Sequence, residues 1–148
     1  MRRRSLRVFG RAHGGTAAIE FAIVAPAFLM LLFGTVEFGR LLWTQQALQE
    51  TAIAGARCMA ILQTGCTAGG RYYSSANTTT FIQQVASQWG VTIPTAGITL
   101  TPNATCGGTT GFSQVTLSST FNTAVPQVVL LAAGGTSLSA TACFPNNS

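Results

Sequence analysis

The sequence predicts an α+β protein: a long N-terminal hydrophobic helix able to cross a membrane, then a small antiparallel β-sheet domain with accessory helices. Three observations carry this prediction. Ala17 to Gly34 holds a single charge, Glu20. Good helix formers with an apolar stripe continue from Leu41 to Met59. After Gly90 the composition turns to Thr, Val, Ile and Ser, with glycine pairs as punctuation, which favours strands and turns. The chain divides into a basic leader (1–15), an apolar-to-amphipathic helix (16–62) and a body (63–148).

The leader contains five of the eight arginines, Arg2, Arg3, Arg4, Arg7 and Arg11. From Thr16 onward Arg40, Arg57 and Arg71 are matched by Glu20, Glu37 and Glu50, so the formal charge of +5 resides in the leader. No Lys or Asp occurs, and nothing charged follows Arg71. A nucleic-acid surface needs several Lys or Arg on one face. The formally neutral body has no such cluster, and nucleic-acid binding is not expected.

The helix is expected from about Thr16 to Leu62, kinked at Pro26 and stopped by Gly65. Its apolar part, Ala17 to Phe38, would span about 33 Å at about 1.5 Å per residue, enough for a bilayer. Trp43 then falls near the far membrane interface. The arginine-rich end is expected in the cytoplasm and the body in the periplasm or exterior, the arrangement of a single-pass membrane protein. Glu20 sits inside the apolar run, where an ionised side chain is expensive. Beyond the bilayer, Leu41, Leu48, Ala52, Ala56 and Met59 recur at helical spacing, with Gln45, Gln46, Gln49, Glu50 and Arg57 on the other positions. Glu37 and Arg40 stand three apart and can pair, either as an interfacial pair or as contacts between packed helices.

In the body, Gly69-Gly70 and Ser74-Ser75 mark a loop. Phe81, Ile82, Val85, Ala86 and Trp89 trace a short amphipathic helix, capped by Asn77 or Thr78 and ended by Gly90. Strands are expected at 97–101, 113–121 and 136–144. In the second, Val115, Leu117 and Ser119 share one face and Thr116, Ser118 and Thr120 the other. Gly107-Gly108 suits a turn with positive φ. The run from Pro126 to Ala133 reads as a short apolar helix or a strand, packed on the sheet rather than inserted in lipid.

Past the leader there is no His, Asp or Lys, and Glu50 is the last acid. Acid–base catalysis and serine activation therefore lack their partners, and neither an enzyme nor a small-molecule substrate is expected. The glycine pairs lack a phosphate-loop pattern. Cys58, Cys66, Cys106 and Cys143 show no zinc-ligand spacing, so no metal or cofactor is expected. In an exported domain four cysteines read as two disulfides, with buried free thiols as the alternative. Of three connectivities, Cys58–Cys66 with Cys106–Cys143 is favoured: one closes a short loop at a helix end, the other ties the sheet to its last strand.

Gly14-Gly15, Glu20-Phe21, Ala25-Pro26, Phe33-Gly34 and Glu37-Phe38-Gly39-Arg40 resemble the N-terminus of TadE-like proteins, pseudopilins or minor pilins of tight-adherence (Flp-type) pilus systems. The resemblance is closest from Gly14 to Met59. It extends more loosely to Pro126–Gly135 and to a last strand ending at Phe144-Pro145. It implies a pilin-like fold, cleavage between Gly15 and Thr16 by a prepilin peptidase, and storage in the inner membrane. Glu20 then becomes the fifth mature residue, and Glu20 with Phe21 serves assembly. The implied partners are other pilin or pseudopilin subunits and the pilus assembly machinery, with a role in adhesion. The competing readings are an uncleaved, membrane-anchored periplasmic binding or adhesion domain and an ordinary secreted protein cut after its apolar run. A twin-arginine match at Arg2-Arg3-Arg4-Ser5-Leu6 carries little weight, because arginine-rich leaders produce it by chance.

Overall fold

Both apolar and amphipathic runs fall in one helix, α1 (Gly15–Ala60), helical throughout and containing Pro26. The computed structural model describes residues 15–122 and 137–146. The leader to Gly14, the segment Pro126 to Gly135 and the expected strand start at Thr136 lie outside the described residues. The chain forms two compact units, 1–36 and 37–148.

In the first unit the described residues, 15–36, form the apolar part of α1, with nearly every side chain exposed. An exposed apolar helix surface of this length suits lipid rather than water. The Thr35 hydroxyl donates to the Leu32 carbonyl at 2.8 Å, so a polar group in this stretch satisfies itself along the helix.

In the second unit the rest of α1 supplies a spine for the core. Leu48, Ala52, Ala56 and Met59 are buried, as their spacing predicts, together with Ala47, Thr51 and Gly55. They pack with Ile82 and Ala86 of a second helix, α2 (Ser75–Gln88), and with Val115, Leu117, Ala140 and Ala142 of the sheet. Small residues on α1 let these elements approach closely. A Cβ at Gly55 would stand 2.9 Å from Ile82 and 3.5 Å from Val115. Fully burying a side chain such as Leu48 contributes about 1.5–3 kcal/mol.

The end of α1 corrects the sequence reading. Gln63 N–H donates to Cys58 C=O at 3.1 Å and Leu62 N–H to Met59 C=O at 3.4 Å, a Schellman pattern. Leu62, not Gly65, occupies the left-handed position, with φ of 50°. Gly65 lies instead in a 3-10 turn (Thr64–Cys66), where a Cβ would come within 3.0 Å of Phe81. A non-glycine residue in this conformation is strained, and Leu62 is 44% exposed. Leu62→Gly is therefore expected to stabilise the body by about 0.5 kcal/mol, because relief of strain exceeds the entropy lost with glycine. A raised thermal midpoint checks this.

A two-residue ladder follows, β1 (Thr67–Ala68) with β2 (Tyr72–Tyr73), around Gly69 and Gly70, both at positive φ. Burial pushes the Tyr73 phenol pKa up. The cap of α2 is Ser74 rather than Asn77 or Thr78: its hydroxyl accepts from Asn77 N–H, and its carbonyl takes the Thr78 N–H at 3.0 Å. At the other end Val91 N–H donates to Ala86 C=O and Gly90 N–H to Ser87 C=O, with Gly90 at φ 74°, a second Schellman pattern.

The sheet is antiparallel, in the order β3 (Ile98–Cys106), β4 (Thr109–Thr120), β5 (Ser137–Pro145). Val115 and Leu117 face the core, while Thr116 on the outer face exchanges a 3.1 Å hydrogen bond with Thr141. Gly107 and Gly108, at φ 59° and 84°, form the two-residue hairpin turn between β3 and β4. β3 runs five residues beyond the expected end at Thr101, because register shifts around Thr101 to Cys106 absorb Pro102 and Asn103. Asn103 takes φ 61°, a conformation Asn tolerates. A Cβ at Gly97 would overlap the Ser118 backbone carbonyl oxygen. That oxygen cannot rotate aside, so Gly97→Ala is expected to cost about 3 kcal/mol, the upper end for overpacking; urea unfolding reads it.

Two disulfides join the pairs favoured from sequence, Cys58–Cys66 and Cys106–Cys143. The second has a topological consequence. Cys106 pairs with Thr109 on one side of β4, and Cys143 with Gln114 on the other. In a flat ladder their Cα atoms would lie on the order of 20 Å apart, given about 3.3 Å per residue and about 4.8 Å between strands. They are 6.5 Å apart. The hairpin tip therefore folds over toward β5, with the register shifts in β3 and Gly111 at φ 89° as the bends. Asn146 holds the fold-over, donating from its backbone to Gly111 C=O at 2.9 Å and from its side chain to Asn103 Oδ1 at 2.9 Å.

Candidate assembly site

The residues singled out in the sequence fall into two groups. The first group lies on the apolar part of α1. Gly15 and Thr16 open the helix, and Glu20 and Phe21 are exposed on its second turn, Phe21 by 73%. Gly14 lies outside the described residues. Glu20 has no hydrogen-bond or ion-pair partner among the described residues. A carboxylate on an otherwise apolar helix surface is left to find its counter-charge elsewhere.

The second group, Glu37-Phe38-Gly39-Arg40, splits between two faces of α1. Glu37 is buried and accepts from Arg40 Nη1 at 2.7 Å. The Arg40 guanidinium lies 5.6 Å from the Phe121 ring centroid, a cation–π distance. Phe38 is 57% exposed, and nothing lies within 4 Å of a Cβ at Gly39. The pair thus sits against the protein's own body, with Phe38 and Gly39 turned outward. One turn on, Trp43 meets Trp89 edge to face at 5.8 Å, and its indole N–H donates to the Trp89 carbonyl at 3.3 Å. Gln45 Nε2 donates to Ser139 C=O at 3.0 Å, fixing α1 to β5.

Phe121 and Trp89 are the contributors that sequence reasoning missed. The sequence pattern puts Trp89 on the apolar face of α2; in the structure it is the C-cap residue of that helix and 39% exposed. No local pattern could join either residue to α1. The one usable signal was the scarcity of charge, since a cation such as Arg40 needs a partner somewhere.

Among the described residues no group of three or more His, Cys, Asp or Glu could hold a metal. A shallow open cleft between Pro94, Gly97, Ser118, Ser119 and Ser137 contains no ionisable group.

These features define a class: an α+β protein with one N-terminal helix long and apolar enough to cross a membrane and a disulfide-linked body. Residues 15–57 match the family model described as TadE-like protein, over the stretch on which the sequence resemblance rests. The match covers most of α1 and not the sheet. No curated protein and no solved structure matches the chain significantly.

Proposed function

We propose that this chain is a pseudopilin or minor pilin of a tight-adherence (Flp-type) pilus system, and a structural subunit rather than an enzyme. A prepilin peptidase removes residues 1–15. The mature chain, beginning at Thr16, waits in the inner membrane with its body in the periplasm, then joins other pilin subunits and the assembly machinery in pilus formation and adhesion. The observation that carries this reading is Glu20: an acid without a described partner on an exposed apolar helix, inside a segment that matches the TadE-like model. Cleavage before Thr16 creates an ammonium four residues from Glu20, and the amine of a neighbouring subunit is the counter-charge the acid needs.

Intact-mass measurement of the membrane-extracted protein tests the processing step. A chain beginning at Thr16 is expected. Retention of residues 1–15 would identify an uncleaved anchored domain instead, and loss of the whole apolar helix an ordinary secreted protein.

A further inference from the structure

We infer that Trp43 and Trp89 form one lipid-facing pair, through which the body rests on the headgroup layer of the bilayer that α1 crosses; this builds on the membrane-spanning reading above. The expected span ends near Phe38. Trp43 lies five residues later, about 7.5 Å farther along a helix. That distance matches the headgroup layer, about 5–8 Å on each side of the hydrocarbon core.

Trp43 is 58% exposed and Leu42 beside it 52%. Exposed Trp at this depth is the ordinary signature of an interfacial anchor on a spanning helix. What the fold adds is Trp89, brought from 46 residues away to edge-on contact with Trp43. Its backbone is fixed between the end of α2 and Gly90 by the Schellman pattern, so its position follows from the cap rather than from a mobile loop. The hydrogen bond between them suits the same setting. The Trp43 N–H, which would be costly to bury unpaired in lipid, is satisfied by the Trp89 carbonyl, one of the carbonyls a helix end leaves over.

Charge points to the same occupant. Arg40, the cation one turn from Trp43, is already paired with Glu37. Apolar insertion, not attraction to anionic lipid, is then the driving term, and zwitterionic lipid suffices.

The chain has two tryptophans, which makes the test direct. The full chain carrying Trp43→Phe is reconstituted in phosphatidylcholine vesicles, leaving Trp89 as the reporter. Its emission is expected to be quenched strongly by lipids brominated near the headgroup, more weakly by bromines near the chain ends, and little by aqueous acrylamide. Quenching by acrylamide without quenching by bromolipid would place Trp89 in water and overturn the inference. Shielding from both would place it against protein, such as a second copy, and overturn it equally. The Trp89→Phe companion reports Trp43. If Trp43 is quenched by bromolipid and Trp89 is not, this inference fails and the membrane-spanning reading stands; if neither is quenched, this inference fails, and release of the protein from the vesicles by alkaline carbonate would be needed to overturn the spanning reading as well. Should Trp43→Phe not fold, the difference between the wild-type chain and Trp89→Phe isolates the same Trp89 signal.

Discussion

Glu20→Leu is expected to leave processed protein in the membrane and to remove it from pili sheared off the cell. Leucine is a good helix former and fits the apolar surface around position 20, so insertion and the helix itself should not suffer. The proposed cleavage site, Gly15–Thr16, is more than a helical turn away, and cleavage should persist. On the proposed processing, the subunit would then carry a new ammonium at Thr16 with no acid to receive it. Breaking a buried ion pair by removing one partner costs about 3–5 kcal/mol. At about 1.4 kcal/mol per decade, that weakens each subunit contact about a hundredfold or more. Glu20→Gln keeps the shape and loses the charge, and it should fail in the same way. Immunoblots of sheared and membrane fractions, with the mass of the membrane form, separate processing from assembly. Normal recovery in pili from both variants would refute the pairing and leave Glu20 as an acid satisfied near the cytoplasmic headgroups.

The legibility of this chain varied with the range of the forces involved. α1 was plain, because about twenty apolar residues followed by a helical-period stripe admit few other structures. Its end is not legible, because glycine is the usual left-handed residue after a helix and Gly65 stands nearby. Leu62 takes that conformation instead, with its carbonyl-satisfying hydrogen bonds as compensation. The cap of α2 is ambiguous in sequence for a related reason: Ser74, Asn77 and Thr78 are all capping types, and the bond from Thr78 N–H to Ser74 C=O decides among them. The length of β3 is hidden because Pro102-Asn103 looks like a break, whereas the register shifts carry the strand past it. The candidate assembly residues are visible as types at suggestive positions. Their partners Phe121 and Trp89 are not, since contacts over 46 residues and more leave no periodic trace in the chain.

Removing the Cys106–Cys143 bond should cost more than removing Cys58–Cys66, by an amount that loop length sets. The two bonds close separations of 37 and 8 residues. By chain entropy, their loss by double substitution to alanine costs about 4 and about 2.5 kcal/mol respectively. For a body of about 110 residues with a total stability of about 6–17 kcal/mol, the larger value is a substantial share. The structure adds a local consequence. Without the longer bond, the β3–β4 tip keeps the Asn146 hydrogen bonds, each worth about 1 kcal/mol net, and the burial of Ala104 as its ties over β5. Amide exchange should therefore accelerate first in residues 101–112, while Leu48, Ile82 and Leu117 stay packed. Urea unfolding of the full chain in detergent, followed by the fluorescence of two tryptophans that both belong to the body, measures the global cost. Equal losses for the two pairs would mean that the unfolded body is already compact across the longer loop. No loss for Cys106 and Cys143 would mean that the fold-over persists on its hydrogen bonds and that the bend in the chain itself places the tip against β5.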